Sequence, residues 1–161
     1  MATEMQTHLN IMLDGLKKKA AALTEILSIS ENQRTVIESE LPIDGVRDII
    51  FAMNEEKQEA IQIVKDCDNM FEKMLKDIGH ELEAQQDNHK PQVKIMQEQI
   101  RKVMDLDIKI RVAEDENNRL LDERRKIELP IQNSCIKPKV TMPTDSAKIF
   151  KAYENSQNYK G

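Results

Sequence analysis

The feature that most constrains this chain is an alternation of four- and three-residue steps that carries a stripe, apolar except at Lys57, through Val46, Ile50, Met53, Lys57, Ala60, Val64, Cys67, Phe71, Met74 and Ile78. Steps that average three and a half residues keep every one of these positions on one face of an α-helix, whereas a strand turns its side chains over at every residue. Ile49, Ile61, Leu75 and Leu82 widen the stripe, as expected for a helix that touches two neighbours. A later segment repeats the pattern at Val93, Met96, Ile100, Val103, Asp107, Ile110, Glu114, Asn117 and Leu121. An earlier one reads as Leu9, Leu13, Leu16, Ala20, Leu23, Leu27, Ser30 and Ile37, with Arg34 interrupting it.

Prolines separate the three. Pro42 disfavours helical geometry at Leu41, and Asp44 before Gly45 offers a cap to the next start. Asn88-His89-Lys90-Pro91 forms the second break, with Pro91 suited to a first helical turn. Thr3 to Gln6 has the spacing of a capping box. Helices are expected over about 4–40, 44–87 and 91–127, each about 55 to 65 Å long at 1.5 Å per residue. Connections of a few residues force successive helices to run antiparallel. The predicted fold is all-α: an elongated antiparallel three-helix bundle over 1–128 with coiled-coil-like packing, each stripe sealed against the other two. Gly79 stands inside the second helix and leaves its continuity there open.

Residues 129–161 break the periodicity. Pro130, Pro138 and Pro143 suggest a mostly extended linker, and Ala147 to Ser156 a short amphipathic stretch with Ile149, Phe150 and Tyr153 on one face. About ten residues are too few to hold a helix alone in water, so that face either docks on the bundle or is kept for a partner.

Composition excludes several function classes. Only 3% of the residues are aromatic and four are glycine, which disfavours sandwiches, barrels and glycine-rich phosphate loops. With 24 Lys plus Arg against 29 Asp plus Glu, the net charge of −5 is the wrong sign for a nucleic-acid binder. The two basic runs, Lys17-Lys18-Lys19 and Arg124-Arg125-Lys126, read as solvated helix faces. No apolar run is long enough for membrane insertion and the N-terminus lacks a signal-peptide pattern, so a cytoplasmic location is expected. Cys67 and Cys135 have no CxxC partner, and neither a disulfide framework nor a metal site is expected; Cys67 fits a small buried hydrophobe.

An enzyme is not expected. His80-Glu81 opens like a zinc-protease helix, but Ala84 stands where the second ligand belongs. No cofactor is called for. Two departures from the pattern are more informative. Lys57, Asp107, Glu114 and Asn117 occupy seam positions, either as register-setting polar groups or because the far half of the third helix is loosely packed. Phe51, Ile108 and Val112 fall opposite their seams, and an Ile–Val pair four apart can serve as a docking stripe for another helix. Met12, Met53, Met70, Met74, Met96 and Met104 give the helices adaptable side chains.

The stretch Met53 to Ile61 (MNEEKQEAI), followed by Asp68 to Phe71 (DNMF) and the closing Lys148 to Tyr153 (KIFKAY), resembles the FlgN-like flagellar export chaperones of Gram-positive bacteria. That resemblance implies a non-enzymatic cytoplasmic chaperone. It would bind the C-terminal amphipathic helices of flagellar hook-associated proteins and deliver them to the export apparatus. It places the partner surface on the later helices and tail, at Ile108, Val112, Ile149, Phe150 and Tyr153. A different reading of the same rod is a structural or adaptor coiled coil, a scaffold or homodimer that sets a distance.

Overall fold

The computed structural model describes residues 4–128, and every regular element among them is helical. Helix α1 spans Glu4–Ile37, α2 Ile43–Ala84 and α3 Lys90–Glu128; a single 3₁₀ turn, Gln86–His89, joins α2 to α3. The fold is the expected all-α three-helix bundle. Thr3 of the expected capping box lies outside the described residues, as do Cys135, Ile149, Phe150 and Tyr153.

The nine seam positions expected in the third segment, Val93 to Leu121, are the nine buried residues of α3. In α2 the seam is buried at Val46, Ile50, Lys57, Ala60, Val64, Cys67, Phe71 and Ile78, with Met53 and Met74 half-buried. The helix runs unbroken through Gly79, which is itself buried. Pro42, not Asp44, occupies the position before α2, and Asp44 lies in the first turn facing Arg47 at 3.6 Å. A carboxylate there still meets the positive end of the helix dipole. At the other end of α1, the helix stops at Ile37, three residues before the expected limit.

The α1 stripe needs correction. Its seam runs Met5, Leu9, Met12, Leu16, Lys19, Leu23, Ile26, Ser30, Gln33 and Ile37, all buried and all in four-three steps. Leu13 and Leu27 are only partly buried, Arg34 is exposed, and Gln33 takes the place assigned to Arg34. Both readings share Leu9, Leu16, Leu23, Ser30 and Ile37, and Ala20, beside the row, is buried as expected. They diverge at the alternate positions because a buried lysine at 19 hides the true row.

The three helices are not equivalent. α1 packs closely along both α2 and α3, while α2 and α3 approach each other far less closely. Accordingly thirteen of the 34 residues of α1 are buried, against nine of 39 in α3. Buried Ala20, Ala22 and Ser30 are small, and small side chains let helix backbones come near. Across the α2–α3 gap the reach is made by long side chains, of which Lys57 and Glu114 are the clearest case.

Gly45 stands in the first turns of α2 with nothing within 4 Å of the position a Cβ would take. At Gly15 an added Cβ meets only the terminal methyl of Met70, the movable end of a flexible side chain. Neither glycine has a positive φ. Gly45→Ala and Gly15→Ala are each expected to stabilise the bundle by about 0.4–1 kcal/mol by reducing the freedom of the unfolded chain. Thermal melts of the two variants check this, and a lower midpoint for Gly45→Ala would show that its helical turn needs glycine after all.

Candidate functional site

Two features set this bundle apart from a plain apolar rod: a polar girdle through its core and an apolar pair on the outside of α3. The girdle is built by register. Ser30 donates its Oγ–H to Glu114 Oε1 at 2.5 Å, an 84-residue separation, which is twelve whole heptads. That step keeps the parallel seams of α1 and α3 level all along the bundle. The antiparallel α2 brings Lys57 to the same level, where its Nζ donates to Glu114 Oε1 at 2.5 Å and to Gln33 Oε1 at 2.6 Å. One turn further, Gln33 donates to Asn54 Oδ1 at 2.7 Å and Asn117 donates to the Ser30 carbonyl at 2.8 Å.

Lys57 and Glu114 are 1% and 2% exposed, so this ion pair sits in the middle of the core. Burial pulls the Lys57 ammonium below its usual range, although Glu114 beside it works in the opposite direction. Glu114 Oε2 and Asn117 Oδ1 are buried acceptors with no hydrogen-bond partner among the described residues. The network therefore holds more acceptor capacity than it uses.

A second polar site lies nearer the middle of the rod. Buried Lys19 bonds to Asp68 of α2, and Asp107 of α3 adds its charge from the third side. Burial again lowers the lysine's pKa, against the pull of Asp68. Arg111 reaches Asp107 at 3.4 Å from the next turn of α3.

The basic runs are corrected in part: Lys17, Lys18 and Lys126 are exposed as expected, but Lys19 is an interior residue and Arg124 caps the far end of the bundle. Its guanidinium donates to the carbonyls of Ile37 at 2.8 Å, Ser39 at 3.3 Å and Leu41 at 2.6 Å. Carbonyls at a helix C-terminus have no partner within the helix, and a planar cation with several donors suits them. The signal was available, since Arg124 falls three residues after Leu121 and so continues the α3 seam. Arg119 bridges Glu116 at 2.7 Å and Glu123 at 2.6 Å.

On the outside of α3, Ile108 is 48% exposed and Val112 64% exposed. Four residues apart, they share one face of the helix. Phe51, on α2, is 65% exposed. The remaining sequence-predicted partner residues, Ile149, Phe150 and Tyr153, fall outside the described residues. Among the described residues no three His, Cys, Asp or Glu side chains gather as metal ligands, and no helix is long and apolar enough to cross a membrane. Cys67 is buried, and that burial raises its thiol pKa. No protein-family model, curated protein or solved structure matches the chain.

Proposed function

We propose that this protein is a non-enzymatic helix-binding chaperone of the flagellar export type, working in the cytoplasm. Its clients would be the C-terminal amphipathic helices of hook-associated proteins, held until they reach the export apparatus. The observation that carries the reading is the exposed Ile108–Val112 pair on the outer face of α3, away from the buried seam of that helix. An unassembled filament-type subunit presents an apolar helical face. A second helix with apolar residues at four-residue spacing covers such a face without any chemistry. The flagellar identity of the client rests on the sequence resemblance alone. By that resemblance Ile149, Phe150 and Tyr153 join the same surface.

The test titrates a peptide carrying a hook-associated protein's C-terminal amphipathic helix into the full chain and into Ile108→Asp/Val112→Asp. Both substitutions are on exposed positions, so the thermal midpoint is expected to stay within a few degrees while affinity falls on the order of 10- to 100-fold. Equal affinity for the two proteins would remove α3's outer face from the reading. Amide exchange over 147–153 is expected to slow on adding the peptide, and unchanged rates would remove the tail residues. Self-association abolished by the same two substitutions, with no peptide binding, would instead make the pair the contact of a dimerising scaffold.

A further inference from the structure

The polar girdle divides the core into two apolar clusters of unequal size. The larger holds nineteen buried residues and extends from Met5, Leu82 and Val93 at one end to Ile26, Ala60 and Ile110 at the girdle. The smaller holds five, Ile37, Ile43, Val46, Ile50 and Leu121, backed by Val36 and Leu120. Between them the seam positions of all three helices turn polar at one level, with Ser30, Lys57 and Glu114, and at the next with Gln33 and Asn117.

We infer that the end of the bundle beyond the girdle is a separate cooperative unit, which opens while the main core stays folded. This unit comprises the close of α1, the turn after it, the start of α2 and the last turns of α3. Three features of the bundle lead there. Opening it exposes a five-residue cluster and leaves nineteen buried apolar residues in place. Apolar packing gives cooperativity by continuity, and that continuity stops at the girdle. Separation there also returns Lys57 and Glu114 to water, recovering solvation that burial had removed from both. Arg124 is the latch, since its three carbonyl contacts tie the end of α3 to the end of α1 and the turn that follows.

Native-state hydrogen exchange of the full chain tests it. Amides of 46–50 and 118–124 are expected to exchange on the order of 100-fold faster than those of 61–71 and 96–110. Ile100→Val, a small deletion in the main cluster, is expected to speed the second set about fivefold and leave the first at its wild-type rate. Opening of the cap does not disturb Ile100, so its free energy is blind to that substitution. Replacing the girdle's ion pair by apolar side chains, Lys57→Met/Glu114→Leu, is expected to bring the two sets within about threefold of each other. A single rate class in the wild-type protein overturns the inference, as does Ile100→Val accelerating both sets equally. A gap that survives loss of the ion pair overturns it too. Should that double variant fail to fold, the first two measurements decide.

Discussion

Lys57→Ala is expected to destabilise the bundle by about 3–5 kcal/mol, and Glu114→Ala by a similar amount, while replacing both with Met and Leu costs nothing or stabilises by about 1–4 kcal/mol. The two partners are 1% and 2% exposed, so deleting either strands a charge in the core. The pair itself gives little net stability, because the attraction at 2.5 Å is set against the removal of two ions from water. Against a typical total of about 5–15 kcal/mol, a single deletion removes a large share of what holds the fold. Denaturant titration of Lys57→Ala, Glu114→Ala and Lys57→Ala/Glu114→Ala completes the cycle, with Lys57→Met/Glu114→Leu measured beside it. Additive losses would mean that the two side chains act independently and that the girdle is no network.

The same site carries a pH signature. Burial lowers the pKa of Lys57, so the folded protein releases that proton at a lower pH than the unfolded chain, whose lysine titrates near 10.5. Between those values the unfolded state holds more protons, and stability therefore rises with pH. Lys19, lowered for the same reason, contributes the same sign. Just below pH 10.5 the slope should be smaller in Lys57→Met/Glu114→Leu than in the wild-type protein, with Lys19 supplying what remains.

Leu23→Ala is expected to cost about 2–5 kcal/mol, as a cavity at the centre of the helix that both others share. Leu23 is inaccessible to solvent, and the register joining Ser30 to Glu114 sets it level with Asp107 of α3. A cavity there weakens the apolar wall beside a buried carboxylate as well as the contact with α2. Ile63→Ala is the control, since Ile63 is 36% exposed on α2 and its loss is expected to stay within about 0.5 kcal/mol. Similar midpoints for Leu23→Ala and Ile63→Ala in urea would mean that α1 is not the helix the bundle is built around.

Exposed ion pairs contribute little by comparison. Arg119 with Glu116 and Glu123, or Arg34 with Glu38, lie at half-exposed positions where screening and side-chain entropy offset most of the attraction.

The four-three spacing determined by itself that the chain is helical, that there are three long segments, and which nine residues of α3 are buried. A repeat of that period places its residues on one line whatever stands around it, and Pro42 and Pro91 mark the breaks locally. It also set Ile108 and Val112 on the outer face of α3. What it left open was which helix would be shared. That depends on how closely three backbones approach, and small residues at Ala20, Ala22 and Ser30 matter only once neighbours are present. The α1 row through Lys19 and Gln33 was hidden for the same reason. A lysine in a basic run reads as solvated until Asp68, 49 residues away, is brought beside it. Arg124 likewise became a cap only when the carbonyls of Ile37, Ser39 and Leu41, more than 80 residues earlier, arrived within its reach. Periodicity is a property of one segment and can be read along it. Whether a charge is buried is decided by its partners, and those were assembled by the fold.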